Sequence, residues 1–399
     1  MTIGSGARIS EHLSVGVLAR SYPREEILEI LRDLGLESRR VRGLPNEALV
    51  HYIIALGLFM AVSTDEVLRC LVEGLRWIDG SASPVKPVGK VAISQARSRL
   101  GAEPLKRLWH QTARVYGLPE ASSGFYREWR LVAIDGSTLD VPDTRANLEH
   151  FGKQDSSRGE AAFPQMRFVG VCECATRSLF AVSCGPYRMS ESELAEEALG
   201  SLEPGMLCLA DRLYMTFPLW TKALESGADL LWRVRNNAKL EVEEILEDGS
   251  FLSRIYPNWK SHRRREGGTT VRIVEYRIEG AEQTEELYRV ATSIIDPAIA
   301  PAEELAALYH QRWEVETLLD EFKTHMRGGN VVLRSKTPVL IEQEFYGMLL
   351  AHRAVRALMF EAASDRKVPP ERLSFTHSLR VIRRKLTAPA DFSPSAAHK

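Results

Sequence analysis

Apolar residues recur at helical spacing in the first part of the chain. Residues 24–78 carry them three and four positions apart, and helix starts are marked by Pro45 and by a capping box that begins at Ser63. The apolar run 49–62 is too short to cross a bilayer and contains His51, so we predict a buried helix there. This pattern predicts an all-helical N-terminal region.

A second helical segment follows a Pro/Gly-rich break at 80–89. Residues 90–117 show helical spacing on either side of Gly101, which predicts two helices. The segment is basic, through Lys90, Arg97, Arg99, Lys106 and Arg107. It therefore suits either a helical pair that contacts DNA or a plain helical hairpin.

From residue 126 the pattern changes to short, continuous apolar runs. The runs WRLVAIDGS (129–137) and GMLCLADRLY (205–214) have the length of strands buried on both faces, and each ends in an aspartate, Asp135 and Asp211. An aspartate at the end of a strand is often only a helix N-cap. It also lies at the edge of the sheet where open α/β folds build their sites.

The segments around these two runs predict an α/β fold. Residues 165–185 predict a strand pair that turns near 175–178, and 190–202 predict a helix. A further helix at 216–229 and a strand at 230–235 follow. We expect one sheet with helices packed against it.

The segment YHQRWEVETLLDEFK (309–323) predicts an amphipathic helix with an unusual polar stripe. At roughly 100° per residue, Tyr309, Arg312, Glu316 and Lys323 share an arc of about 60° that borders the apolar face. When this stripe is considered alone, an ordinary surface with i,i+4 ion pairs explains it better than a site does. A partly buried site would use the same arrangement.

Together these motifs resemble the DDE transposases of bacterial insertion sequences. Two strands ending in aspartate and a helix bearing glutamate form the ribonuclease-H-like arrangement of that family. One group of it carries Y-x2-R-x3-E-x6-K, which the 309–323 segment matches at every fixed position. Asp135-Gly136-Ser137 resembles the family's first motif. The second motif departs from it, with Leu213 where a small residue is common. The likeness covers roughly residues 126–365.

The resemblance implies a fold class and a division of the chain. We expect a ribonuclease-H-like mixed sheet flanked by helices, a β-rich insertion before the last acidic residue, and an all-helical N-terminal domain. The predicted parts are a helical DNA-binding region (1–125), a catalytic domain in two pieces (126–235 and 291–365), the insertion (236–290), and a basic C-terminal segment and tail (366–399).

The spacing of the acids supports an insertion in that place. Asp211 and Glu316 are 316 − 211 = 105 residues apart, more than one strand and one helix require. The surplus alternates in the manner of strands, and Asp248-Gly249 is a hairpin-turn signal.

The family chemistry implied by the resemblance needs divalent cations. Two Mg²⁺ ions, or Mn²⁺ in their place, suit in-line phosphoryl transfer, and hard ions prefer carboxylate ligands. The predicted catalytic and metal-binding residues are Asp135, Asp211 and Glu316. Asp320 lies on nearly the same side of the helix and is a rival third acid, whereas Glu314 points elsewhere.

Besides the helical N-terminal region, contacts to DNA are predicted in three further places. By resemblance, Tyr309, Arg312 and Lys323 hold the DNA backbone near the cut. The run NWKSHRRR (258–265) is the densest basic run and adjoins an aromatic residue, so it predicts a contact to a strand end; its candidates are Trp259, Lys260, Arg263, Arg264 and Arg265. Simple packing of Trp259 within the insertion is the alternative. Residues 366–385 form a further basic segment.

Overall composition bears on the cellular location of the protein but does not indicate its function. The net charge of −1 gives no global sign of nucleic-acid binding. Five scattered cysteines suggest reduced thiols, and we expect Cys172 and Cys174 to be buried thiols rather than zinc ligands. The N-terminus lacks a signal peptide. We therefore expect a cytoplasmic, nucleoid-associated protein with no membrane contact.

The predicted function is a transposase that cuts the ends of an insertion sequence and joins them to target DNA. Its expected partners are terminal inverted repeats, target DNA and a second copy of the chain once DNA is bound. Two alternatives stay open: a domesticated nuclease of the same fold, and a catalytically silent protein that binds element ends.

Overall fold

A computed structural model describes residues 13–38, 44–79, 88–116, 124–156, 159–277, 287–328 and 332–384. Most of the predicted break at 80–89 and the predicted tail at 387–399 lie outside these ranges. All further structural statements concern the described residues.

A single large sheet forms the centre of the described part of the chain. Ten strands build it, and two short strands pair separately. The strands are β1 (Phe125–Tyr126), β2 (Trp129–Asp140), β3 (Asp155–Ser156), β4 (Gly159–Glu160), β5 (Gln165–Glu173), β6 (Ser178–Pro186), β7 (Met206–Ala210), β8 (Asp229–Arg233), β9 (Glu244–Ile245), β10 (Phe251–Ile255), β11 (Thr269–Tyr276) and β12 (Tyr288–Thr292).

The order of the strands is that of a ribonuclease-H-like sheet with an extension. Strands β6, β5 and β2 are antiparallel neighbours, and β2, β7 and β8 then run parallel. The insertion continues the same sheet from β8, in the antiparallel order β12, β11, β10, β9. The predicted mixed sheet is confirmed. Strand β12 crosses the predicted boundary at residue 290, because its pairing with β8 makes it part of the central sheet.

Helices cover both faces of the sheet, and the N-terminal helices pack next to those on one face. They are α1 (Leu13–Ser21), α2 (Arg24–Asp33), α3 (Asn46–Leu58), α4 (Thr64–Asp79), α5 (Lys90–Leu100), α6 (Glu103–Thr112), α7 (Arg145–Phe151), α8 (Glu191–Leu199), α9 (Phe217–Leu224), α10 (Trp259–Arg264), α11 (Ala302–Tyr309), α12 (Trp313–Asp320), α13 (Pro338–Arg366) and α14 (Phe375–Arg384). The helices predicted at 49–62, at 190–202, at 216–229 and around Gly101 are confirmed.

Two apolar cores result from this arrangement. Helices α8 and α9 cover one face, where Leu194, Trp220 and Trp232 are buried together. Helices α12 and α13 cover the opposite face, and their core is continuous with that of α1 to α6. The predicted burial of Cys172 and Cys174 is confirmed, since both are fully enclosed in this second core. No described helix is long and apolar enough to cross a membrane.

The N-terminal helices are joined to the sheet-containing part of the chain through a close helix crossing. A side chain at Gly347 of α13 would place its Cβ 2.8 Å from the Ile53 carbonyl oxygen, and one at Gly57 would place it 2.9 Å from the Met348 Cα. Such distances require glycine, because a methyl group there would meet rigid backbone. The helical region is thus packed directly on α13.

One cation of the helical pair is part of the core rather than of a DNA-binding surface. The Arg97 side chain is buried, and its guanidinium donates to the Gln343 Oε1 atom at 2.8 Å and to the Ser335 Oγ atom at 2.9 Å. Including Arg97 in the basic surface was therefore wrong, because these buried acceptors on and near α13 satisfy it. Arg107 forms an exposed ion pair with Glu103 at 3.2 Å.

The insertion also supports the helix that leads to the predicted signature. Asp248, in the predicted hairpin turn between β9 and β10, accepts from the Ala302 backbone N–H at 2.8 Å, at the first turn of α11. The same carboxylate pairs with the fully buried Arg272 of β11, whose guanidinium also donates to the Ala300 carbonyl at 2.6 Å. The start of α11 is therefore fixed by insertion residues.

Candidate active site

Asp135 and Asp211 occupy matching positions on neighbouring parallel strands. The last paired residues of β2 and β7 are Ala133 and Leu209, and each aspartate comes two residues later. Adjacent strands lie about 4.8 Å apart, so the register alone brings the two aspartates side by side. Asp211 directly follows the end of β7, as predicted.

The prediction that β2 ends at Asp135 is wrong. Strand β2 continues to Asp140, because its antiparallel ladder with β5 persists to the pair Asp140–Gln165. Asp135 lies instead where β2 loses its other neighbour, β7. Asp135 still lies at an open edge of the sheet, as expected, because β2 has no paired neighbour among the described strands on the β7 side beyond Ala133.

The Asp135 carboxyl group has a strongly altered acidity. Its partial burial raises its pKa to about 7, and the carboxylates of Glu191 and Asp211 act in the same direction. The Gly136 backbone N–H, which donates to Asp135 Oδ1 at 2.9 Å, and the Arg312 guanidinium act against this rise. Burial beside other acids is an arrangement that favours a bound cation.

The turn after Asp211 holds that side chain in place. The Leu213 backbone N–H donates to Asp211 Oδ1 at 2.6 Å, and the Tyr214 N–H donates to the Asp211 carbonyl at 3.2 Å. The side chain of Leu213 is 38% exposed. The larger side chain at this position therefore projects into solvent and does not have to fit into the core.

The segment 309–323 is not the continuous α-helix that the pattern predicts. Helix α11 ends at Tyr309, a 3₁₀ turn covers His310–Arg312, α12 covers 313–320, and a π-helical turn covers Glu321–His325. Regular 3.6-residue spacing therefore fails at both ends. π-helical turns are rare and are frequent at functional sites.

Two of the signature residues nevertheless contact the strands of the two aspartates. The buried Tyr309 donates through its hydroxyl to the Ala210 carbonyl at 3.2 Å, one residue before Asp211. Lys323 donates to the Ser137 Oγ atom at 2.8 Å, two residues after Asp135. The predicted polar stripe thus borders the core and connects α11, α12 and the π turn with both strands.

Arg312 connects the third acid with the first. Its guanidinium pairs with Glu316 Oε1 at 2.7 Å and interacts electrostatically with Asp135. The rival Asp320 is exposed and lies 3.3 Å from the His325 ring nitrogen, and Glu314 pairs with Arg177. Glu316 therefore remains the predicted third acid, with Asp320 as its rival.

Comparison with known proteins decides the family. The family model described as "Transposase DDE domain" matches residues 128–353, more than half of the chain. The chain belongs to the DDE transposases. A second model, "Insertion element 4 transposase N-terminal", matches residues 12–110 of the transposase.

Two curated relatives from Escherichia coli (strain K12) resemble the transposase. "Transposase InsG for insertion sequence element IS4" is 30% identical over 380 residues, covering 93% of this chain and 82% of that protein. "Putative transposase InsZ" is 27% identical over 220 residues, covering 55% and 71%. The solved "piggyBac transposase synaptic complex with hairpin DNA" gives a TM-score of 0.46 at 12% identity, covering 94% of this chain and 79% of that one.

Glu191 is an acid beside this site that the sequence patterns did not single out. It is the first residue of α8, and its carboxylate accepts from the Tyr214 hydroxyl at 2.6 Å. A helix N-terminus rich in acids is ordinary by itself, so the segment SESE carried no distinguishing signal. The residues next to Glu191 are Tyr214 and Gly136, which come from other segments of the chain. Only the fold reveals this proximity.

The exposed aromatic of the insertion lies on a short helix rather than in a loop. Asn258 caps α10 by accepting from the Ser261 N–H at 3.0 Å, and the Trp259 side chain is 71% exposed. The neighbouring Lys260 and Arg263 are exposed, as is Arg264, and Arg265 pairs with Glu241 at 3.3 Å. The exposure required for base stacking is therefore present at Trp259.

A second exposed tryptophan adjoins the signature residues. Trp313 of α12 is largely exposed, and the Arg312 guanidinium lies 5.3 Å from the centre of its ring. The sequence pattern predicts Trp313 only as a member of an amphipathic helix and gives it no separate role. At roughly 100° per residue Trp313 lies about 40° from Tyr309 and outside the apolar face, which is a signal that could have marked it as exposed.

The acids of the site match a divalent metal in donor type only. Three carboxylates with an excess of negative charge match the oxygen donors that Mg²⁺ and Mn²⁺ prefer. Glu316 is held by Arg312, whereas Asp135 and Asp211 repel each other electrostatically. Among the described residues, however, no group of three or more His, Cys, Asp or Glu side chains is arranged closely enough to hold a metal ion.

Proposed function

We propose that the transposase cleaves the ends of an insertion sequence and joins them to target DNA by metal-dependent phosphoryl transfer. The observation that supports this most is the docking of the signature segment. Tyr309 contacts the residue before Asp211, Lys323 contacts the residue two after Asp135, and Arg312 connects Glu316 with Asp135.

In this proposal Asp135, Asp211 and Glu316 hold two Mg²⁺ ions, with Mn²⁺ as a substitute. Bound there, the ions would supply charge stabilisation for the attacking and leaving oxygens of an in-line displacement. Arg312 would have to share Glu316, since the two are paired at 2.7 Å. The Arg312 Nε atom is buried with no hydrogen-bond acceptor among the described residues.

The DNA backbone is held by the cations that border the acids. Arg312 and Lys323 would contact phosphates next to the scissile bond, with Tyr309 fixing the helix against β7. Trp259, Lys260, Arg263, Arg264 and Arg265 would contact DNA from the insertion. Because both ends of an element must be processed together, we infer a homodimer on DNA, working at the nucleoid.

The deciding experiment is cleavage of a duplex that carries the terminal repeat. Asp135→Asn, Asp211→Asn and Glu316→Gln should each abolish Mg²⁺-dependent nicking and strand transfer while binding to the end duplex persists. Asp320→Asn is the matched control, an exposed acid on the same helix, and should cleave like the wild type.

The alternatives predict different results. A catalytically silent end-binding protein would bind the duplex and never nick it. A domesticated nuclease would nick in Mg²⁺ without joining ends to a target plasmid. Nicking that persists in Asp135→Asn, or that is lost in Asp320→Asn and retained in Glu316→Gln, would contradict the assigned acids.

A further inference from the structure

Glu191 of α8 lies against Gly136, the residue that follows Asp135 in β2. Successive residues of a strand face opposite sides of the sheet, so Gly136 faces α8 while Asp135 faces the side of α12. A Cβ atom built on Gly136 would lie 2.5 Å from both Cδ and Oε1 of Glu191. The space that a side chain at position 136 would need is therefore filled by the Glu191 carboxylate.

The same carboxylate is bonded to the turn that follows Asp211. Glu191 Oε1 accepts from the hydroxyl of the buried Tyr214 at 2.6 Å. Tyr214 in turn closes the Asp211 turn through its backbone N–H, 3.2 Å from the Asp211 carbonyl oxygen. One side chain thus contacts the residue after Asp135 and the residue that closes the Asp211 turn.

Glu191 itself is firmly placed. It begins α8, whose N-terminus has a complete capping box formed by Ser190 and Glu193. The Leu194 and Ala195 side chains of the next turn are fully buried in the core beneath. A group mounted on a capped, packed helix can define the position of the residue after Asp135 and of the turn after Asp211.

We propose that Glu191 and Tyr214 form a positioning pair that sets the separation of Asp135 and Asp211. Gly136 is part of this arrangement, because a larger residue there would have to displace the Glu191 carboxylate from its present position. This inference deepens the proposed function and rests on it, since it assigns no reaction of its own. Misplacement of a catalytic group by about 1 Å can cost about a hundredfold in rate.

The experiment measures end-duplex nicking rate as a function of Mg²⁺ concentration. Glu191→Ala, Tyr214→Phe and Gly136→Ala should each lower the rate by about tenfold or more and raise the Mg²⁺ concentration for half-maximal rate. Binding of the end duplex in EDTA should be unchanged, since none of the three is assigned to DNA contact.

Double variants separate positioning from general damage. Because all three changes disrupt one contact set, Tyr214→Phe and Gly136→Ala should add little to Glu191→Ala. Glu191→Gln retains an oxygen acceptor for Tyr214 and should restore most of the rate. Glu193→Ala is the matched control, because it weakens the same helix end without contacting Gly136 or Tyr214, and it should nick like the wild type.

Three results would overturn the inference. They are full additivity of the double variants, an unchanged Mg²⁺ dependence, or a Glu191→Gln variant as impaired as Glu191→Ala, which would make the charge rather than the bond decisive. If Gly136→Ala fails to fold, Tyr214→Phe decides by itself, as it removes one hydroxyl. If Asp135→Asn nicked at the wild-type rate, the proposed function itself would be refuted. Failure of the positioning pair and failure of the proposed function are therefore distinguishable.

Discussion

At the residue scale, Asp135 combines a cost to folding with its proposed catalytic role. Its pKa is raised to about 7 by burial, well above the value of about 3.9 for an exposed aspartate. A carboxyl group with a higher pKa in the folded chain binds more protons when folded. Its contribution therefore favours folding at acid pH and weakens as the pH rises from about 4 to about 7.

Asp135→Asn should accordingly raise the thermal stability of the metal-free protein at pH 8 and raise it less at pH 5. The uncharged amide escapes the cost of ionisation that the wild type bears at the higher pH. Melting temperatures in EDTA at the two pH values measure this. Asp143→Asn removes an exposed carboxylate paired with Lys153 and should show no such pH-dependent gain. An equal gain at both pH values for Asp135→Asn would contradict the prediction.

Trp259 provides a second prediction at the level of one side chain. If a base leaves the DNA stack during strand transfer, the exposed ring can offset part of that cost, with stacking worth roughly 1–3 kcal/mol. Trp259→Ala should then retain first-strand nicking and lose transfer to the opposite strand, while pre-nicked ends show the same defect.

Trp232 is the comparison for Trp259 because it is fully buried and packs edge-on against Trp220. Trp232→Ala should lower the melting temperature and impair nicking and transfer alike. If Trp259→Ala behaved in that way, the tryptophan would be a packing residue of the insertion.

At the scale of elements, the signature segment is held from beneath by buried charges. Glu321, in the π turn, pairs with the fully buried Arg356 of α13 and lies 3.5 Å from Arg177 and 3.6 Å from the His352 ring. Arg177 also pairs with Glu314 of α12. The network joins the β5–β6 turn, α12, the π turn and α13, so it fixes the part of the chain that presents Lys323.

Removing one partner of this network should be costly. Arg356→Met leaves the Glu321 carboxylate buried without its main partner, which typically costs about 3–5 kcal/mol. Nicking should fall as well, because the π turn loses its anchor. Denaturant unfolding and the nicking assay measure the two effects. Arg145→Met breaks an exposed ion pair with Glu149 and should cost under about 1 kcal/mol; equal losses in the two variants would refute the structural role.

At the scale of the whole molecule, the C-terminal segment is both core and candidate DNA surface. Helix α14 buries Phe375, Leu379 and Ile382 against the helical region, and Arg383 donates to the Leu58 carbonyl at 2.6 Å. Deleting residues 366–399 would therefore remove part of the core. Substitution of the exposed cations is the sharper test.

Four exposed cations of the segment are suited to that test: Arg366, Lys367, Arg372 and Arg380. Changing all four to Gln should weaken binding to element ends. The slope of log affinity against log salt should become shallower by up to about 3 to 4, at about 0.9 for each phosphate that the protein no longer neutralises. Fluorescence anisotropy over a KCl series measures it. An unchanged slope would remove this segment from the DNA interface.

Local patterns by themselves determined much of this protein. Apolar runs of strand length indicated the central sheet and placed Asp135 and Asp211 on it, and helical spacing located the N-terminal helices and the signature segment. These features depend on interactions between near neighbours in sequence, which is why periodicity and turn residues reveal them. The family resemblance rested on the same local signal.

Only the tertiary structure decided what depends on distant partners. It extended β2 beyond Asp135 through pairing with β5, divided the signature segment into 3₁₀, α and π turns, and placed Arg97 in the core. It also brought Glu191 against Gly136 and Tyr214, residues 191 − 136 = 55 and 214 − 191 = 23 positions away. Such contacts follow from how strands and helices pack, and no spacing along the chain encodes them.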